Sequence, residues 1–207
     1  MRIRPAASVR SAETPFGNYI VMLGMTCAFA VQMLLDPGAK YLGGLVLRTW
    51  SVPALLGHMW LHMTAVHLIG NLITLGIFGW YVCPRVGTLT YVAAYTATGL
   101  AAGILHVACD GRPVIGASGA IMGVLGMYVV LCFGRLSRVG PWLILAWFAA
   151  TLTAGAVGHF PAAYMTHVGG FLTGMILAWG LVLYRRAGRE QRELHPVSSH
   201  ACPQTSC

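Results

Sequence analysis

Residues 58–82 read HMWLHMTAVHLIGNLITLGIFGWYV, a run of 25 residues without an aspartate, glutamate, lysine or arginine. A helix needs about 17–25 mostly apolar residues to cross the hydrocarbon core of a bilayer. A barrel strand needs only about ten residues, and these alternate in polarity. The length and continuity of this run therefore predict a membrane-spanning helix.

The composition of the whole chain supports a membrane protein. Apolar residues make up 57% and charged residues 9%, whereas soluble domains have about 45–50% apolar and about 25% charged residues. The mean hydropathy is +0.71. Such a chain needs lipid as its solvent, where helices satisfy their own backbone. The net charge of +8 comes from residues in the termini and loops, so it indicates membrane topology rather than a nucleic-acid partner.

Five further apolar runs resemble the first, and the pattern predicts an all-α membrane protein, a bundle of six transmembrane helices. The predicted spans are Tyr19–Leu35, His58–Val82, Leu89–Ala108, Val114–Phe133, Pro141–Gly158 and Ala162–Tyr184.

The basic residues predict the orientation of these spans. With the N-terminus inside, ten lysines and arginines lie on the cytoplasmic side and three on the outer side, and cytoplasmic loops carry the excess of such residues. Both termini are therefore predicted to be cytoplasmic, which fits a bacterial inner membrane. The predicted segments are a cytoplasmic N-terminal segment (1–18), a six-helix domain (19–184) and a basic, disordered cytoplasmic tail (185–207).

Acidic residues are absent from all six predicted spans, which disfavours several classes of membrane enzyme. The five acidic residues are Glu13, Asp36, Asp110, Glu190 and Glu193. An aspartyl intramembrane protease needs two carboxylates in the membrane, and a zinc protease of the HExxH type needs a glutamate beside its histidines. Neither set of catalytic residues is available in the predicted spans.

The polar residues that we single out within the spans fall into one layer. His67, Ser118 and His167 lie 18, 17 and 18 residues before the first arginine at the cytoplasmic end of their spans. At about 1.5 Å per residue, all three lie roughly 25–27 Å from that end, and Asn71 lies one turn deeper. Three helices thus contribute polar groups at one depth.

The rotation of the second span predicts two separate polar faces. At about 100° per residue, His67 and Asn71 are about 40° apart, whereas His62 points about 140° away from His67 and lies near His58. We expect a deep His67/Asn71 face and a shallow face of His58 and His62, which we assign to a structural, water-supplying or loop-anchoring role.

Small residues accompany the polar ones on the fourth and sixth spans. Small residues let membrane helices pack backbone to backbone, so they would bring Ser118 close to His167. Four glycines are assigned to this packing: Gly116, Gly119, Gly170 and Gly174.

These residue types are suited to acyl transfer. A serine hydroxyl is a weak nucleophile until a base takes its proton, and His167 can be that base for Ser118. Without a membrane carboxylate, the sequence predicts a dyad rather than a triad. His67, the Asn71 amide and the backbone N–H of Ser118 could stabilise the oxyanion.

Three motifs occur in order along the chain. They are His62-x4-His67-x3-Asn71, Gly116-Ala117-Ser118-Gly119 and His167-x2-Gly170-x3-Gly174. In the spacing of these motifs and in its six-span frame, the chain resembles the rhomboid family of intramembrane serine proteases over about Tyr19–Tyr184. The resemblance implies a Ser118–His167 dyad and an oxyanion hole built by His67 and Asn71.

The resemblance also implies a reaction and its partners. Such a protein cleaves transmembrane segments of membrane protein substrates within the lipid bilayer and needs no cofactor or metal. Two positions differ from common family patterns, because Trp50 precedes Ser51 rather than an arginine, and Met122 stands where a tyrosine is frequent.

Two other functions stay open at this point. A rhomboid-like pseudoprotease that holds client helices without cleaving them would fit the two differences. A haem or metal protein could use the eight histidines, although the predicted divergence of His62 and His67 argues against a shared ligand site. The sequence leaves the substrate and the oligomeric state open.

Overall fold

A computed structural model describes residues 14–36, 42–109, 112–132 and 163–194, and every regular element in these ranges is helical. The elements are α1 (Phe16–Leu35), a short 3-10 helix (Leu42–Leu45), α2 (Val52–Gly57), α3 (Ala65–Val86), α4 (Thr88–Cys109), α5 (Ser118–Cys132) and α6 (Ala163–Leu194). The predicted fifth span, Pro141–Gly158, lies outside the described residues. The prediction of an all-α fold is confirmed.

Four of these helices are long and apolar enough to cross a membrane: α1, α3, α4 and α6. Their outer faces expose large apolar side chains, such as Leu34, Val66 and Ile176. Such faces need lipid rather than water. The chain is therefore an integral, multi-pass membrane protein.

The helix α5 is shorter and lies at the centre of the bundle. Its 15 residues extend about 22 Å. Every residue of the range Gly119–Met127 is buried, as expected for a helix that is apolar on all sides. It packs against α3, α4 and α6, so whatever its first residue carries lies among three other helices.

The helix α3 begins seven residues later than the predicted span. Thr64 is extended (φ −145°, ψ 159°) and its hydroxyl caps the helix by accepting the N–H of His67 at 3.1 Å. Such a cap satisfies one of the free N–H groups of the first turn. The prediction of one helix from His58 was therefore wrong for 58–64, whereas its remainder is confirmed, and α3 ends at Val86.

The segment between the first and second predicted spans contains an additional helix, α2. Pro53 lies in the first turn of α2, where its fixed φ favours a helix start. Further upstream, Leu47 and Val114 exchange backbone hydrogen bonds of 3.1 and 2.9 Å. This pairing holds Val114 outside α5, so the predicted start of the fourth span at Val114 was four residues too early.

The helix α6 extends beyond the predicted end of the bundle. It continues to Leu194, so the prediction of a disordered tail from Arg185 was wrong for 185–194. The residues involved, RRAGREQREL, are mostly good helix formers. At 32 residues α6 is about 48 Å long, more than the hydrocarbon core of about 30 Å.

Candidate active site

The start of α5 carries Ser118 on a backbone that only glycine favours. Gly116 has φ +125°, a conformation that L side chains rarely adopt. Its N–H donates to the carbonyl of His58 at 2.8 Å. This turn makes Ser118 the first residue of α5, where it is partly buried. The first N–H groups of a helix have no acceptor within it, so those at the start of α5 are available to an acceptor near Ser118.

His67 lies directly against the turn that precedes Ser118. A Cβ on Gly116 would come within 2.6 Å of Cε1 and 3.0 Å of Nε2 of the His67 ring. Gly116 therefore serves close approach of a ring to the backbone rather than the helix packing predicted for it. The structure thus brings the predicted oxyanion histidine beside the predicted nucleophile loop.

His167 is brought to the same region by the contact of α5 with α6. A Cβ on Gly119 would lie 3.4 Å from Thr166, the residue before His167. A Cβ on Gly170 would fall on the carbonyl oxygen of Gly119, and the same holds for Gly174 and the carbonyl of Gly123. These glycines let the two backbones touch, as predicted from the small-residue pattern.

The imidazole of His167 is buried without a polar partner. Its exposed fraction is 8%, and within the described part of the chain neither Nδ1 nor Nε2 has a hydrogen-bond partner. His167 therefore makes no hydrogen bond to Ser118 in this structure. A buried polar group that has no partner requires an explanation, and catalytic hydrogen bonds are often long until substrate is bound.

His62 joins the two predicted oxyanion residues, which corrects the predicted division into two faces. Asn71 Nδ2 lies 3.0 Å from His62 Nε2, and the rings of His62 and His67 meet edge to face with centroids 5.2 Å apart. The rotation of 100° per residue does not apply between His62 and His67, because α3 begins only at Ala65.

The hydrogen bonds of His62 define its tautomer. The Nδ1 atom lies 3.3 Å from the carbonyl of Trp60, which can only accept, so Nδ1 carries the proton and Nε2 accepts from Asn71. His62 precedes the spanning helix α3, and burial, followed by the charge of a protonated His67, lowers its pKa to about 4. The ring is therefore neutral at pH 7, as this arrangement requires.

His58 anchors the turn before Ser118. Its Nδ1 donates to the carbonyl of Ala54 at 3.1 Å, and its own carbonyl accepts from Gly116. A Cβ on Gly103 of α4 would lie 3.0 Å from the ring. These contacts link α2, α4 and the turn that positions the candidate nucleophile.

One residue with a contact to this site was missed by sequence reasoning. Gln32 in α1 is buried, and the nitrogen and the oxygen of its side-chain amide both hydrogen-bond to the backbone of His62. The available signal was a strongly polar side chain inside an apolar span, which is costly without a partner. Its partner lies 30 residues away, so no local pattern identifies it.

The histidines of this site are poorly arranged for metal binding. The described residues hold no group of three or more His, Cys, Asp or Glu that could bind a metal ion. In His62, Nδ1 carries the proton and the lone pair of Nε2 accepts from Asn71, so neither nitrogen is free for a metal. The argument from divergent histidine faces was wrong, and the bonding of His62 replaces it.

Comparisons with known proteins find a matching family model and several relatives. The model of the Rhomboid domain matches residues 49–184. The chain is 27% identical over 141 residues to "RHOMBOID-like protein 6, mitochondrial" from Arabidopsis thaliana, which covers 66% of this chain and 46% of that protein. It is 31% identical over 132 residues to "Rhomboid-type serine protease 2" from Emericella nidulans, covering 61% and 26%. The chain thus spans about half the length of the first curated relatives it matches.

Proposed function

The chain belongs to the rhomboid family, and from that premise we propose that it is an intramembrane serine endopeptidase. It cleaves transmembrane segments of membrane protein substrates with a Ser118–His167 dyad. The observation that carries this proposal is the meeting of three helices at the N-terminus of α5. Gly116 receives the ring of His67, and Gly119 touches α6 beside His167.

The proposed reaction begins with Ser118 and His167. His167 takes the proton from the Ser118 hydroxyl as the oxygen attacks the scissile carbonyl carbon, which forms a tetrahedral intermediate. His167 then gives this proton to the leaving amine, the C–N bond breaks, and an acyl-enzyme remains. Water, deprotonated by the same imidazole, hydrolyses the ester and returns the proton to Ser118. Neither ring nitrogen of His167 has a partner in the described residues, so no other group there competes with Ser118 for the imidazole.

The negative oxygen of the intermediate needs donors that are already in position. Asn71 Nδ2 carries two hydrogens, and His62 occupies one of them, so the second is available. The His67 ring and the backbone N–H groups at the start of α5 complete the proposed oxyanion hole. The helix dipole at this end adds a favourable potential for negative charge.

The remaining parts of the proposal concern the membrane. We propose six spans with both termini cytoplasmic, on the basis of the apolar runs and the excess of basic residues on one side. The relatives compared above come from a plant and a fungus and give no support to the expected bacterial inner membrane, so only the integral membrane location is kept. The dyad chemistry requires no metal.

A second candidate is a pseudoprotease that binds client helices without cleaving them. The observation that favours it is the missing Ser118–His167 hydrogen bond within the described residues. The two candidates share their fold and differ in the reactivity of one hydroxyl.

Cleavage of a reconstituted single-span substrate separates these candidates. The wild-type chain should cleave it in liposomes, and Ser118→Ala or His167→Ala should lower the rate by at least about a thousandfold. Ser51→Ala is the matched control, because Ser51 precedes α2 and its side chain makes no capping hydrogen bond. Equal cleavage by wild type and Ser118→Ala would contradict the protease function. Binding of client helices by the wild type without cleavage would support the pseudoprotease function.

A further inference from the structure

Gln32 holds the backbone of His62 at two points. Its Nε2 donates to the His62 carbonyl at 2.8 Å, and its Oε1 accepts the His62 N–H at 3.0 Å. The Gln32 side chain is 2% exposed and the whole of His62 is buried. A primary amide that hydrogen-bonds to both the N–H and the carbonyl of one residue fixes the position and the direction of the backbone at that residue. The first span thus clamps the segment that leads into α3.

From His62 the contacts continue to both proposed oxyanion donors. Its Nε2 accepts from Asn71 at 3.0 Å, and the edge of its ring meets the ring of His67. Phe29, one turn before Gln32 on α1, also packs edge to face against His62. A shift of the His62 peptide would therefore move the acceptor that orients the Asn71 amide.

We propose that Gln32 is a positioning residue for the oxyanion hole and acts through His62 on Asn71 and His67. This inference rests on the proposed protease function. It assigns a role in the reaction to α1 (Phe16–Leu35), which precedes residues 49–184 matched by the family model. The physical reason is that a donor contributes to transition-state stabilisation only while it is held in place, and an amide free to rotate loses that contribution.

A role in stability alone is the competing explanation, and a matched variant separates the two. Met25 is also buried on α1, and its sulfur accepts a hydrogen bond from the Tyr95 hydroxyl at 3.5 Å. Both Gln32→Leu and Met25→Leu keep a similar side-chain volume. The first removes two buried hydrogen bonds of α1 and the second removes one. Only the first of them removes a contact to His62.

The kinetic test measures kcat and KM of the full chain in liposomes with a single-span substrate. Gln32→Leu should lower kcat about 10- to 100-fold with KM changed less than about twofold, whereas Met25→Leu should leave kcat within about twofold. In an Asn71→Ala background, Gln32→Leu should lower kcat by a clearly smaller factor than in wild type, because one of the two donors that it positions is gone. An equal loss of kcat in both backgrounds would overturn the inference.

A second measurement does not depend on catalysis. The side-chain amide of Asn71, labelled with 15N, should show one N–H resonance shifted by its bond to His62. Gln32→Leu should remove this shift, and Met25→Leu should retain it. An unchanged Asn71 amide in Gln32→Leu overturns the positioning role. If cleavage does not depend on Ser118, the proposed function fails instead, and the amide resonance still decides whether Gln32 orients Asn71.

Discussion

Gly116 determines two features of the proposed active site. The backbone turns there before Ser118, and the His67 ring lies where a side chain at Gly116 would be. The φ of +125° at Gly116 disfavours any L residue, and a Cβ would come within 2.6 Å of the His67 ring. In Gly116→Ala, the backbone strain of about 1–3 kcal/mol and the contact with the ring both displace His67. We expect activity to fall about 100-fold, because shifts of about 1 Å have effects of that size.

The matched control for this change is Gly70→Ala. Gly70 lies within α3, and a Cβ there would meet nothing within 4 Å. Alanine is favoured over glycine in a helix by roughly 1 kcal/mol. Gly70→Ala should therefore have a slightly larger free energy of unfolding than wild type and should cleave at the wild-type rate. Full activity in Gly116→Ala would contradict the placement of His67 beside the nucleophile turn.

Single polar residues of the site were easier to select from the sequence than the contacts that they make. Ser118, His167, His67 and Asn71 could be selected from the sequence because polar groups within apolar spans are rare and costly. The role of His62 could not, since its position depends on where α3 starts. Gln32 was missed because its contact joins two segments 30 residues apart, and such a contact leaves no periodicity in the sequence.

At the scale of helices, the contact of α5 with α6 depends on backbone approach. The carbonyl oxygens of Gly119 and Gly123 occupy the space in which Cβ atoms on Gly170 and Gly174 would lie. Gly170→Ala or Gly174→Ala must separate the two helices. We expect each variant to lose about 1–3 kcal/mol of unfolding free energy, as for overpacked cores.

Gly180→Ala is the control for this prediction on the same helix. A Cβ on Gly180 would meet nothing within 4 Å, so this variant should be as stable as wild type or up to about 1 kcal/mol more stable. Unfolding free energies from titration with a denaturing detergent provide the comparison. Wild-type stability of Gly174→Ala would show that α5 and α6 do not touch at this level.

Helix boundaries were predictable only where apolar composition determines them. The ends of α1 and α4 lie within three residues of the predicted spans, because these helices end close to where the apolar runs end. The starts of α3 and α5 depend instead on a threonine cap and on a glycine with positive φ. Both lie inside apolar runs, so a count of apolar residues passes over them.

For the whole molecule, the proposed orientation predicts which cysteines face outwards. Cys109 is exposed at the end of α4 and lies on the outer side of the proposed topology. A membrane-impermeant maleimide should label it when added to intact cells that carry the chain in their cell membrane. Cys202 and Cys207 lie beyond the described residues, on the proposed cytoplasmic side, and should react only after the membrane is opened. Labelling of Cys109→Ser from outside would contradict the orientation.

The most direct test of the central claim is the reaction of the folded chain with a fluorophosphonate probe, which labels serines activated as nucleophiles. Wild type and Ser51→Ala should be labelled to the same extent, whereas Ser118→Ala and His167→Ala should remain unlabelled, because one lacks the hydroxyl and the other its base. No label on folded wild type, or equal label on Ser118→Ala, would contradict a Ser118–His167 protease.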